Sequence, residues 1–365
     1  MAGADQETHL CLGGGGPPSQ GGSRLWEPYG PGHGVCPAPV AAYGAESFPM
    51  VSRAYAALSD YTLWSVEVAS GDTARVPLPE DDEMFPVAEA VATQPRLSRL
   101  FRTSGEHVSV MDVSGAEPVQ LGKGMTGTTE NSSLARRVFA LAAAETSLVV
   151  LTRELDVPEH DVSGRPGALH QFRLPDVEYT RHQAVDGDGA HLAIAPGGHV
   201  ACVTLMNSTQ ARILQLESGA PVATIELGAQ AGRAALSLTG ETAYITVPGG
   251  IAVVDTATAK VTDTWNRPAV DVAATPDGLW LYALTATPSL TRVFTMDGPD
   301  SAESIALPLP EDGSAFPGAR VFVSPDNDYI AVLTTPTTVI MLDIQTFEPR
   351  STATLPHPVT DLAFA

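Results

Sequence analysis

The side chains of this chain best suited to acid–base chemistry are imidazoles and carboxylates in segments that break an otherwise regular pattern. His160 and His357 supply the imidazoles, and Glu130 and Asp188 the carboxylates. An imidazole within hydrogen-bond reach of a carboxylate can relay a proton or polarise a small substrate, so these four are the candidate catalytic residues. Lys123, Glu159, Arg165, Arg267 and His107 form a mixed set expected to contact a ligand. An ordinary set of solvated loops has the same composition, and that is the alternative reading.

Two segments carry many of these residues. ELDVPEHDVSGRPG (154–167) holds Glu159, His160, Asp161 and Arg165, and departures from a repeat are where repeat proteins place binding. A tolerated surface insertion is the simpler explanation of the same segment. LGKGMTGTTENSS (121–133) sets Lys123 among glycines, but it lacks the G-x-x-x-x-G-K-[ST] order and a following helix, so no phosphate loop is expected.

Metal chemistry has weaker support. His9-x-Cys11 and His33-x-x-Cys36 offer zinc or copper ligands without compact spacing. Asp186-Gly-Asp188-Gly starts like a calcium loop and lacks the later bidentate Glu. No metal and no cofactor is expected. Cys202, inside the apolar run HVACVTL, reads as a packing residue.

The elements that must position these groups form a repeat. One phrase recurs: an apolar strand, a turn rich in Pro, Asp and Gly, a second apolar strand, then two further strands. PAVDVAATPDG (268–278) with LWLYALTAT, and ARVFVSPDN (319–327) with DYIAVLTTP, are clear copies. Each phrase predicts a four-stranded antiparallel meander, with innermost strands beginning near residues 84, 133, 189, 231, 268 and 318. VTDLAFA (359–365) is a lone innermost strand, and SRAYAALSD, YTLWSVEVASGD and TARVPLP (52–79) supply its three missing partners. The expectation is an all-β, seven-bladed β-propeller over 49–365, closed by pairing the C-terminal strand with the 52–60 strand, which removes open sheet edges.

Asp255, Asp277, Asp326 and Asp343 recur with the turns, so they are read as caps of their own turn amides and not as catalytic groups. The non-repeating polar residues fall in the second-to-third-strand loops and in the blade-to-blade connections, which a propeller gathers on one face around its channel. Asp82, Glu83, His107, Lys123, Glu130, His160, Asp186, Asp188, Asn266, Arg267, Glu311, Asp312 and His357 are placed there.

The turn Pro276-Asp277-Gly278, Tyr282, and the run Asp255-Thr256-Ala257-Thr258 with Val261 resemble the YVTN-type repeat of surface-layer-like and lactonase-like propellers. The resemblance covers roughly residues 50–365 and implies the seven-bladed fold. Propellers of this kind include binding modules, scaffolds, lyases and lactonases. The leading expectation is a binding or scaffold propeller that recognises a protein or small ligand through its loop face. The alternative is an enzyme of the lyase, lactonase or cyclase type acting on a small molecule at the channel mouth.

Composition narrows the partners. With 20 basic and 42 acidic residues the formal charge is −22, which disfavours nucleic acid and anionic lipid. Only Lys123 and Lys260 are lysines, so an anionic ligand would have to meet isolated cations such as Lys123 or Arg267, and a neutral or cationic partner is the easier fit. No apolar run is long enough to span a membrane. The first thirty residues lack a basic start followed by an apolar run, so a cytoplasmic monomer is expected, or a secreted or periplasmic mature form. Residues 1–48, with GGGG (13–16), Pro17-Pro18, Gly21-Gly22 and Tyr29-Gly30-Pro31-Gly32, read as an extended or disordered arm.

Overall fold

The computed structural model describes residues 52–78, 88–94, 97–104, 107–115, 118–125, 136–154, 167–185, 189–217, 223–285, 289–308 and 316–365. The arm 1–48, with His9, Cys11, His33 and Cys36, lies outside the described residues.

Seven four-stranded antiparallel sheets follow one another as the blades of a β-propeller. Blade 1 is composite: Val359–Phe364 is its innermost strand, followed outward by Arg53–Leu58, Leu63–Glu67 and Thr73–Arg75. The closure has Ala54 opposite Phe364 and Ala57 opposite Asp361. From the innermost strand outward, blade 2 comprises Val91–Gln94, Arg99–Ser104, His107–Asp112 and Val119–Met125. Blade 3 comprises Arg136–Ala143, Ser147–Glu154, Gly167–Arg173 and Glu178–Val185. Blade 4 comprises Gly189–Ile194, Val200–Leu205, Gln210–Gln215 and Ala223–Glu226. Blade 5 comprises Ala234–Leu236, Thr242–Val247, Gly250–Asp255 and Lys260–Trp265. Blade 6 comprises Asp271–Ala274, Trp280–Leu284, Ser289–Phe294 and Glu303–Ala306. Blade 7 comprises Arg320–Val323, Tyr329–Leu333, Thr338–Asp343 and Pro349–Thr354.

The core is divided among the blade interfaces. Side chains alternate across each strand, so a second strand buries one set against the preceding blade and the other against the following one. Ala54, Ala56 and Leu58 pack with Ala331, Leu333 and Met341 of blade 7. Tyr55 and Ala57, on the opposite face of the same strand, pack with Val91, Leu100 and Met111 of blade 2. Burial on both faces explains why these strands read as nearly continuous apolar runs. Cys202 lies fully buried between blades 4 and 5, where burial pushes its thiol up to about 12.

Two expectations need correction. The first innermost strand starts at Val91, later than the expected residue 84; residues 88–90, which precede it, are described and lie outside any strand. Lys123 does not lie in a loop. It stands in the outermost strand of blade 2, opposite Ser109, and is exposed. The glycine beside it serves packing: a Cβ on Gly124 would lie 3.0 Å from the Val177 carbonyl oxygen and 3.1 Å from the Phe172 ring in blade 3. The spacing that resembled a loop reflects close approach of two blades.

The recurrent aspartates cap their turns as their repetition suggests. Asp277 accepts from the Leu279 amide at 2.9 Å, Asp255 from the Thr258 amide at 2.8 Å, and Asp343 from the Gln345 and Thr346 amides at 2.9 Å each. Among the described residues no helix is long and apolar enough to cross a membrane.

Candidate functional site

The blades share one register. In blade 6, the Thr275 amide closes the first turn onto the Trp280 carbonyl, and Asp271, four residues before Thr275, lies opposite Leu284. The equivalent residue in blade 7 is Arg320, opposite Leu333, and in blade 1 it is Asp361, opposite Ala57. Blade 4 places His191 there, opposite Thr204, and blade 5 places Arg233, whose carbonyl accepts the Thr246 amide. Blades 2 and 3 have Ala90 and Ala140 at this level. Five consecutive blades therefore present polar groups at the entry end of the innermost strands, and the remaining two present methyl groups. This level adjoins the face that carries the blade-to-blade connections.

Each polar residue is positioned by backbone. Gly232 lets the chain approach Thr246 so closely that a Cβ would lie 2.2 Å from its hydroxyl. That hydroxyl accepts the Arg233 amide at 2.8 Å and fixes where the arginine leaves the backbone. Asp271 is buried and accepts the amide of its neighbour Val272 at 2.9 Å and that of Val321, in blade 7, at 2.9 Å. Asp361 accepts the Leu362 amide at 3.1 Å, the Val91 amide of blade 2 at 3.2 Å and Arg320 Nη1 at 3.0 Å. Arg320 Nη1 also donates to the Thr360 carbonyl at 3.0 Å, and its guanidinium stacks 4.6 Å over the Phe322 ring. Arg233 Nε lies 3.7 Å from Asp271 Oδ1, an ion pair beyond hydrogen-bond length.

Electrostatics follow from burial. Burial, then the positive charge of Arg320, brings the Arg233 guanidinium down to about 10, so it stays charged at neutral pH. Burial, then Arg233 and Arg320, holds the His191 imidazole down to about 3, so it is neutral there. Burial raises the Asp271 carboxyl against the opposing pull of Arg233, Arg320 and the two amides.

Of the expected catalytic and ligand-contact residues, only His107, Lys123, Arg267 and His357 are among the described residues. Glu130, Glu159, His160, Arg165 and Asp188 lie outside the described residues, as do Asp82, Glu83, Asp161, Asp186, Glu311 and Asp312. His107 opens the third strand of blade 2 opposite Ser104 and is half-buried. Arg267 donates Nη2 to the Pro299 carbonyl at 3.2 Å, tying its connection to the short helical turn Gly298–Ser301 that precedes the outermost strand of blade 6. His357 lies on the connection into blade 1, with Nε2 3.3 Å from Asp60 Oδ2. Asp60 is at the second-to-third-strand turn of that blade. Burial opposes its ionisation, but the Thr62 hydroxyl and amide and His357 outweigh that and hold its carboxyl low. Among the described residues no group of three or more His, Cys, Asp or Glu is arranged to hold a metal ion.

Sequence reasoning missed His191, Arg233, Asp271, Arg320 and Asp361. Their residue types differ from blade to blade, so no motif repeats. A usable signal was present: each lies four residues before the position that starts the first turn of its blade.

Comparison with known proteins bears on fold alone. No family model matches the chain, and no curated protein matches it. A solved structure described as a functionally unknown protein from Desulfotomaculum acetoxidans is similar with a TM-score of 0.62 at 11% identity, covering 84% of this chain and 99% of that one. The class so defined is the seven-bladed β-propeller.

Proposed function

We propose that this chain is a binding propeller that takes its ligand at the loop-face end of the central channel, against the arc formed by His191, Arg233, Asp271, Arg320 and Asp361. The YVTN-type character of its repeats fits this reading as a property of the scaffold. The observation that carries it is the asymmetry of one register. Structural demands repeat around a ring, as the turn aspartates do, whereas this level is polar in five consecutive blades and alanine in the other two. Burying such groups costs free energy unless they are satisfied, and no demand of the repeat requires it. The test is a thermal-shift screen of the full chain against a small-molecule panel, repeated with His191→Ala and Arg233→Ala. Compounds that stabilise the wild-type protein should lose most of their effect in both variants. Shifts that survive both variants would move the site elsewhere.

The second reading, an enzyme of the lyase, lactonase or cyclase type, is favoured by the His357–Asp60 pair on the same face. It requires turnover that disappears in His357→Gln while ligand-induced stabilisation persists.

A further inference from the structure

The chemistry of the ligand is written in which hydrogen-bonding groups of the arc are already used. All four carboxylate oxygens accept a donor: Asp271 from Val272 and Val321, Asp361 from Leu362, Arg320 and Val91. The groups left with no hydrogen-bond partner are chiefly donors. The Arg233 guanidinium has no hydrogen-bond acceptor among the described residues, only the carboxylate at 3.7 Å. Arg320 Nε is buried without an acceptor among the described residues. The Thr204 hydroxyl, opposite His191 in the strand pair, is fully buried and has no partner among the described residues. Directly paired residues project to the same sheet face, so Thr204 and His191 stand together. The guanidinium with free N–H groups can only donate and is best met by an acceptor bearing negative charge, and the neutral imidazole and the orphaned hydroxyl can each donate one further bond to the same acceptor.

We propose that the arc binds the oxyanion group of a small ligand, a carboxylate or a phosphate, with Arg233 as its principal donor and His191 and Thr204 beside it. This rests on the channel-end reading above and narrows it to one chemistry. A cationic ligand would face the charges of Arg233 and Arg320, and every carboxylate oxygen of the arc already accepts at least one donor. The overall charge of −22 opposes an anion only at long range, where salt screens it, whereas the site acts at contact distance.

The experiment uses the full chain and two simple probes, sodium acetate and inorganic phosphate, each against sodium chloride at matched ionic strength. Binding is read by calorimetry and by the His191 ring-proton resonances. One probe should bind saturably and shift His191. Arg233→Gln, checked for fold by circular dichroism, should weaken it roughly ten- to hundredfold, the loss of a charge-assisted hydrogen bond. Lys260→Gln, on the exposed outermost strand of blade 5, should leave it unchanged. A response to phosphate alone assigns a phosphate group, and a response to acetate alone a carboxylate. The proposal is overturned if neither probe acts beyond chloride, or if Arg233→Gln binds as wild type does. Should Arg233→Gln fail to fold, Arg233→Lys and the His191 shift in the wild-type protein decide the matter, with an unmoved His191 counting against the proposal. A neutral compound whose stabilisation is lost in Arg233→Gln would refute the oxyanion and leave the channel-end reading standing.

Discussion

Asp271 and Asp277 bracket one innermost strand of blade 6 and do different work. Asp277, exposed at the turn, accepts the Thr275 hydroxyl at 2.5 Å and the Leu279 amide at 2.9 Å, both within its own turn, and one further bond from Asn327. Asp326 repeats the arrangement with Ser324 and Asp328. Asp271, buried at the other end, takes the amide of Val321 from blade 7 and pairs with Arg233 from blade 5. The repeated aspartates cap their own turns, Asp277 adding one exposed bond to the neighbouring blade through Asn327, whereas the non-repeated Asp271 makes a buried junction between blades. Repetition in a solenoid or propeller therefore separates the residues that build the repeat from those that use it.

The largest effect that could break this contrast is Asp271→Ala. It leaves Arg233 and the Val321 amide without their buried partner and should cost about 3–5 kcal/mol of unfolding free energy, measured by urea denaturation. Asp271→Asn should cost less, because its amide oxygen still accepts. If Asp271→Ala were no more harmful than Asp277→Ala, the junction role would be wrong.

The next effect is on pH dependence. His191 is held down to about 3 in the folded protein against 6.5 when free, so the unfolded chain binds the proton first as pH falls. Its contribution is fully present above 6.5 and is lost progressively toward 3, at about 1.4 kcal/mol per pH unit. Between pH 6.5 and 5 the wild-type protein should lose about 2 kcal/mol more than His191→Gln. Identical pH profiles for the two would remove His191 from the buried arc.

A smaller loss, about 1 kcal/mol, is expected for Asp277→Ala, since the exposed turn can satisfy its amides with water. Smallest of all is Lys260→Gln, within about 0.5 kcal/mol, because that exposed side chain lies outside both sets. A larger cost there would show that the outermost strand of blade 5 contributes to stability through Lys260.

Much of the architecture was legible. Apolar alternation, turn residues and the unpartnered VTDLAFA segment led to seven blades and to the closure, because each depends on patterns within a few residues. The candidate site was not legible in the same way. Polar groups stand out in loops, while Arg233, Asp271 and Arg320 lie at the edges of apolar strands where a single polar residue looks like a strand boundary. Lys123 misled for the converse reason: Gly124, needed for contact with Val177, imitates a loop.

Blade number, strand order, turn capping and the seam at which the ring closes were determined by the amino-acid sequence, since periodicity and turn chemistry act locally. Only the tertiary structure decided which polar side chains share an environment. Asp271 meets the amide of Val321 across 50 positions of chain, and Asp361 meets that of Val91 across 270. Those contacts arise from closing the ring, which brings equivalent positions of successive blades to one level of the channel while burial excludes the water that would otherwise separate them.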